Sequence, residues 1–72
     1  MNNKIVKGSR FRCLGKEQEW PYKTFPKGTI MVVEERVIQT DYLGVVLRAV
    51  GGGGFPEYLD DKMLNDNWEF VK

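Results

Sequence analysis

Histidine is absent from this chain, and cysteine occurs once, at Cys13. The common zinc sites need several such ligands, so they are excluded, and without a histidine base Cys13 is poorly equipped for nucleophilic chemistry. A lone cysteine forms no intrachain disulfide, the usual staple of small secreted domains, so the expected setting is reducing and cytoplasmic. No apolar run approaches the roughly 20 residues that cross a bilayer. Residues 1–7 are too polar for a secretory leader. An excess of one charge is missing too: the formal net charge is +1, whereas nucleic-acid binders are usually far more basic.

What is present describes one small folded unit. The chain has 72 residues, 42% of them hydrophobic and 29% charged, which argues against disorder. A chain of this size buries only about 60% of the surface exposed on unfolding, so the core is thin. No repeat, linker or second domain interrupts it. Residues 1–36 carry eight Lys/Arg against four Asp/Glu, and residues 37–72 carry three against six, a polarity that the fold either separates or interleaves.

Strand signals recur along the chain. Residues 9–14 alternate, with Phe11 and Cys13 on one side and Arg10 and Arg12 on the other, the period-two pattern of a half-buried strand. Residues 29–38 are rich in β-branched side chains and long enough to require a strong bend. A turn at residues 39–41 leads to a strand over 42–50, where Gly44 marks a bulge or a close crossing. Glycines 51–54 form a hairpin tip, residues 55–59 return as a short strand, and 68–71 close the chain. Between those last two strands, residues 60–64 read as one helical turn capped by Asp60 or Asp61, broken by residues 65–67.

The long segment 16–27 carries no ladder signal, because Pro21 and Pro26 lack the amide hydrogen and bias their predecessors away from helix. Loops of this length in small domains are often functional. The fold class expected is all-β, with a core of Phe11, Cys13, Ile30, Val32, Val45, Leu47, Leu59, Leu64 and Phe70.

This order resembles the Src-homology-3-like small barrel: five short strands, a long loop after the first, and one 3₁₀ or helical turn before the last. Lys27, Gly28, Thr29 and Ile30 enter the second strand much as a glycine does in KOW modules of translation and transcription proteins. Residues 58–64 followed by Trp68, Glu69, Phe70 and Val71 look like the ending of small prophage-encoded barrels. The resemblance covers residues 8–71 and implies a bacterial or phage accessory protein. It departs from the peptide-binding eukaryotic domains, lacking their usual acidic loop cluster, a Trp-Trp pair and a terminal Pro-x-x-Tyr, so proline-rich ligands are not carried over.

Candidate sites follow from residue type. Trp20, Tyr22 and Phe25 sit on the loop and Tyr42 opens a strand. Aromatic side chains concentrate in binding hot spots, and the alternative for the loop aromatics is an inward mini-core that pins the loop. Arg10, Arg12, Lys16 and Lys23, with Lys4 and Lys7 nearby, could supply a basic surface for single-stranded nucleic acid beside an aromatic platform, or simply a solvated strand face that discourages edge pairing. Glu57, Asp60, Asp61 and Asp66 do not have EF-hand spacing, and capping accounts for the Asp pair. Glycines 51–54 lead into Phe55-Pro56 rather than into a helix, which argues against a phosphate cradle.

No catalytic residue, metal or cofactor is assigned. The expected function is a non-enzymatic binding module that docks on another protein through loop 16–27 and the adjacent sheet face. The alternatives are a nucleic-acid-binding barrel and a self-associating structural protein.

Overall fold

In the computed structural model, which describes residues 5–20 and 22–72, five strands and one helix run in the order β1 (Arg10–Cys13), β2 (Ile30–Gln39), β3 (Tyr42–Ala49), β4 (Glu57–Asp60), α1 (Asp61–Asn67) and β5 (Trp68–Val71). The strands form one antiparallel sheet in the order β4-β3-β2-β1-β5. The sheet curls into a half-barrel with the helix before its last strand, an all-β arrangement compatible with the small Src-homology-3-like barrel.

The bend expected in the long second strand has a local cause. Pairing of β2 with β3 is regular from Met31 to Val33, shifts between Val33 and Glu35, and resumes from Glu35 to Gln39. An extra residue on one strand raises the twist there and folds the hairpin over the core. Gly44 is not the bulge but the close crossing: a Cβ on it would lie 2.6 Å from the Leu59 carbonyl oxygen of β4 and 2.6 Å from the Tyr42 ring.

Inward side chains build a continuous core of Phe11, Cys13, Met31, Val33, Val45, Leu47, Leu59, Leu64 and Trp68. The expected parity of β2 is corrected here: Met31 and Val33 are buried, while Ile30 and Val32 are only half-buried. Phe11 pairs with Met31 across the ladder, and directly opposed residues share a face, so the inward Phe11 commits Met31 to the core. Phe70 is half-buried and meets Phe11 edge-on at 5.7 Å, while Trp68 takes the fully covered place. Val46 is buried out of phase with its neighbours, on the opposite face, where Glu35 and Tyr58 are its cross-strand partners.

The helical segment is also longer than the single turn expected. It continues through Asn67, so residues 65–67 do not break it. Asp60 caps its start, accepting the Met63 N–H at 2.8 Å, and Arg36 fastens it to the sheet through a two-pronged pair with Asp61 at 2.7 and 3.0 Å. At the other end of the chain, Ile5 packs against the core, and Gly8 N–H reaches the Val33 carbonyl at 2.8 Å. Lys4 and Pro21 lie outside the described residues.

Candidate functional site

Loop 16–27 leaves β1 at one end of the sheet, and several independent bonds fix its course. Asn67, the last residue of α1 and only 1% exposed, accepts the Lys16 N–H on its side-chain oxygen at 2.8 Å and donates its amide to the Lys16 carbonyl at 3.4 Å. Further out, Thr24 Oγ1 accepts the Gln18 N–H at 2.8 Å, and Tyr22 N–H bonds the Glu19 carbonyl at 2.9 Å. On the return, Glu57 of β4 accepts the Lys23 N–H at 3.3 Å. Cys13 is a buried core residue that joins this anchorage, its thiol meeting the Phe25 carbonyl at 3.5 Å.

The loop aromatics differ in burial. Phe25 turns inward, meeting the Trp68 ring edge-on at 5.7 Å, and the Lys23 ammonium lies 5.3 Å from its centroid. Tyr22 is half-buried against the core. Trp20, 92% exposed, projects from the fixed loop into solvent. Phe25 therefore holds the base of the loop, with Trp20 at its tip.

Trp20 and Tyr22 line an open groove of about 410 Å³ between the loop and α1, shared with Glu17, Glu19, Met63 and Asp66. Met63 and Asp66 are one helical turn apart, which puts them on one face. Among the described residues, those lining this groove include three carboxylates and no cation. Tyr42, the remaining expected aromatic, is not among the described residues that line this groove. Its phenol is raised above the ordinary tyrosine value, first by burial and then by the negative charge of Asp60, by Tyr22 and by Asp61.

Met63, Asp66, Glu17 and Glu19 were not among the expected site residues. The alternation of Glu17 and Glu19 just before Trp20 was a readable signal. Met63 lay within the expected helical turn, and only Asp66 was hidden by the underestimated length of the helix.

The basic residues do not assemble as one strip. Arg12 is paired with Glu69 of β5 at 2.7 Å. Arg10 lines a groove with Lys7 and Lys72, whereas Lys23 lines a different one with Phe25 and Glu57. Lys16 is exposed at the base of the loop, beyond the end of β1. The acidic group is dispersed in the same way: Asp60 caps the helix, Asp61 holds Arg36 and Glu57 holds the loop. Among the described residues no three His, Cys, Asp or Glu side chains come together as a metal site, and no helix is long and apolar enough to cross a membrane.

Comparison of the chain with protein-family models, with curated proteins and with solved structures finds no match to any of them.

Proposed function

We propose that this chain is a non-enzymatic binding module that docks on another protein, taking a positively charged segment of its partner into the groove between loop 16–27 and α1. The observation that carries this reading is Trp20, a large aromatic side chain left 92% exposed on a loop that is otherwise tied down. Holding the loop in place lowers the entropy lost on association, and an indole offers wide contact area with few rotatable bonds.

The electrostatics of the groove select the partner. Glu17, Glu19 and Asp66 surround Trp20, Tyr22 and Met63, so a Lys or Arg side chain gains both the carboxylates and the ring face. The same carboxylates repel phosphate, which places nucleic acid second as a ligand for this groove. The resemblance to small prophage-encoded barrels fits a bacterial or phage accessory protein working in the cytoplasm.

A titration with short peptides tests the reading. Peptides rich in Lys or Arg should shift the amide resonances of residues 17–22 and 63–66 and quench Trp20 emission, and their Glu-substituted counterparts should not. Trp20→Ala, or Glu17→Gln with Glu19→Gln, should abolish the response in a chain that remains folded. A response to both peptide sets, or to neither, rejects the proposed partner chemistry.

A further inference from the structure

Two open grooves whose linings differ in charge lie toward the two ends of the antiparallel pair β1 and β5. Register places Cys13 opposite Trp68 at one end and Arg10 opposite Val71 at the other. From the Cys13 end rise the loop and the helix, with Glu17, Glu19, Asp66 and the exposed Trp20. At the Arg10 end lies a second open groove, of about 430 Å³, floored by Val6, Phe70 and Val71 and rimmed by Lys7, Arg10 and Lys72. Among the described residues no Asp or Glu side chain lines it, and Arg10 enters no ion pair. The two sites are separated by the length of a four-residue strand, about 10 Å at roughly 3.3 Å per residue.

The basic groove is a built feature of the fold. The turn that forms its wall is held by Ser9 N–H to the Val6 carbonyl at 2.9 Å and by Val6 N–H to Ser9 Oγ at 3.0 Å, and it is tied to β2 by Gly8 N–H to the Val33 carbonyl and by Val33 N–H to the Ser9 carbonyl, each at 2.8 Å. Val6 is 44% exposed, and Phe70 and Val71 are half-buried, so the floor offers apolar surface that an aromatic side chain can cover.

We infer that the occupant of this groove is a second copy of the chain, whose Trp20 seats on Val6, Phe70 and Val71 while its Glu17 and Glu19 meet Lys7, Arg10 and Lys72. Each chain then uses its loop on one neighbour and its groove on the other. Such a contact is heterologous, so it propagates head to tail instead of closing as a two-fold dimer. The formal net charge of +1 leaves little long-range repulsion between copies. This inference rests on the docking role of the loop and names one partner for it.

The test is sedimentation of the wild type and two charge-reversed variants over a range of concentrations. The wild-type mass should rise above the 8.3 kDa monomer with concentration and fall back in about 0.5 M salt, where surface charges are screened. Glu17→Lys with Glu19→Lys loses the loop side, and Lys7→Glu with Arg10→Glu loses the groove side. All four positions are exposed, so both variants should fold, which circular dichroism checks. Each alone should stay monomeric, because its loop and groove then carry the same sign, and their mixture should regain concentration-dependent association, because the intact loop meets the intact groove and the reversed loop meets the reversed groove.

A wild type that stays monomeric at millimolar concentration overturns the inference, as does association that survives in either variant or fails to return in the mixture. A monomer whose basic groove instead takes single-stranded oligonucleotide overturns it too. Titration with a Lys-rich peptide separates the two failures: a monomer that binds the peptide removes self-pairing and leaves the docking role standing, whereas a monomer that binds neither removes both.

Discussion

Asn67 Oδ1 accepts the backbone N–H of Lys16 at 2.8 Å, so the last residue of the helix holds the first residue of the presented loop. The same amide donates to the Lys16 carbonyl and approaches the Cys13 sulfur at 3.6 Å. A buried side chain whose removal orphans both backbone groups of one residue acts as a clamp. Asn67→Ala should therefore destabilise the fold by about 1–3 kcal/mol, the usual cost of leaving buried polar groups unpaired, measured by urea unfolding. Amide exchange should accelerate first across residues 16–20. Uniform acceleration across the chain would mean that Asn67 supports the core and not the loop in particular.

The two tryptophans should behave oppositely. Trp68 is 6% exposed and packs against Phe25 in the core, so Trp68→Ala should cost about 3–5 kcal/mol, the range for removing a buried aromatic side chain. Trp20→Ala should stay within about 0.5 kcal/mol, as surface substitutions do, while removing the peptide response. Thermal and urea melts of the two variants check the pair. A large loss of stability from Trp20→Ala would show that its indole belongs to the mini-core.

Much of the sheet was legible because alternation declares itself within one strand: Arg10 to Cys13 reads correctly, burial included. The second strand was not readable in the same way. Residues 30–33 are all apolar, so no alternation distinguishes Ile30 and Val32 from Met31 and Val33. The inward pair is chosen by the neighbour, through the opposition of Met31 to Phe11. The helix ran past its expected end because asparagine and aspartate favour turns only weakly, and tertiary contacts overrode them: Asn67 finds partners on the loop that no local pattern reveals. That extension turns Asp66 toward the groove. The candidate site was therefore half visible, its aromatics read from the loop and Asp66 concealed by tertiary structure.

Gly44→Ala probes the crossing of β3 over β4. The new methyl group would stand 2.6 Å from the Leu59 carbonyl oxygen and from the Tyr42 ring, and only the ring can move aside. The substitution should destabilise by about 1–3 kcal/mol, as overpacking in a fixed site does. Combining it with Tyr42→Ala should recover only part of that loss, because the backbone contact remains. Full recovery in the double variant, measured by urea unfolding, would locate the whole clash at the ring.

Tyr42 also supplies a pH prediction whose sign can be worked out. Burial, with the negative charge of Asp60, Tyr22 and Asp61 added, raises its phenol above the ordinary value of 10.0, so the folded chain favours the protonated form more than the unfolded chain does. The stabilisation from this preference is fully present below the ordinary value and is lost as pH climbs through the raised one. Tyr42→Phe keeps the ring and removes the titrating proton. The wild type should therefore lose stability relative to Tyr42→Phe as pH rises past the ordinary value of 10.0, and the two should run parallel at neutral pH. Urea midpoints across that rise, with ultraviolet titration of phenolate, provide the measurement. Parallel curves throughout would mean that the phenol titrates alike in the folded and unfolded chains, and that neither burial nor Asp60 and Asp61 act on it.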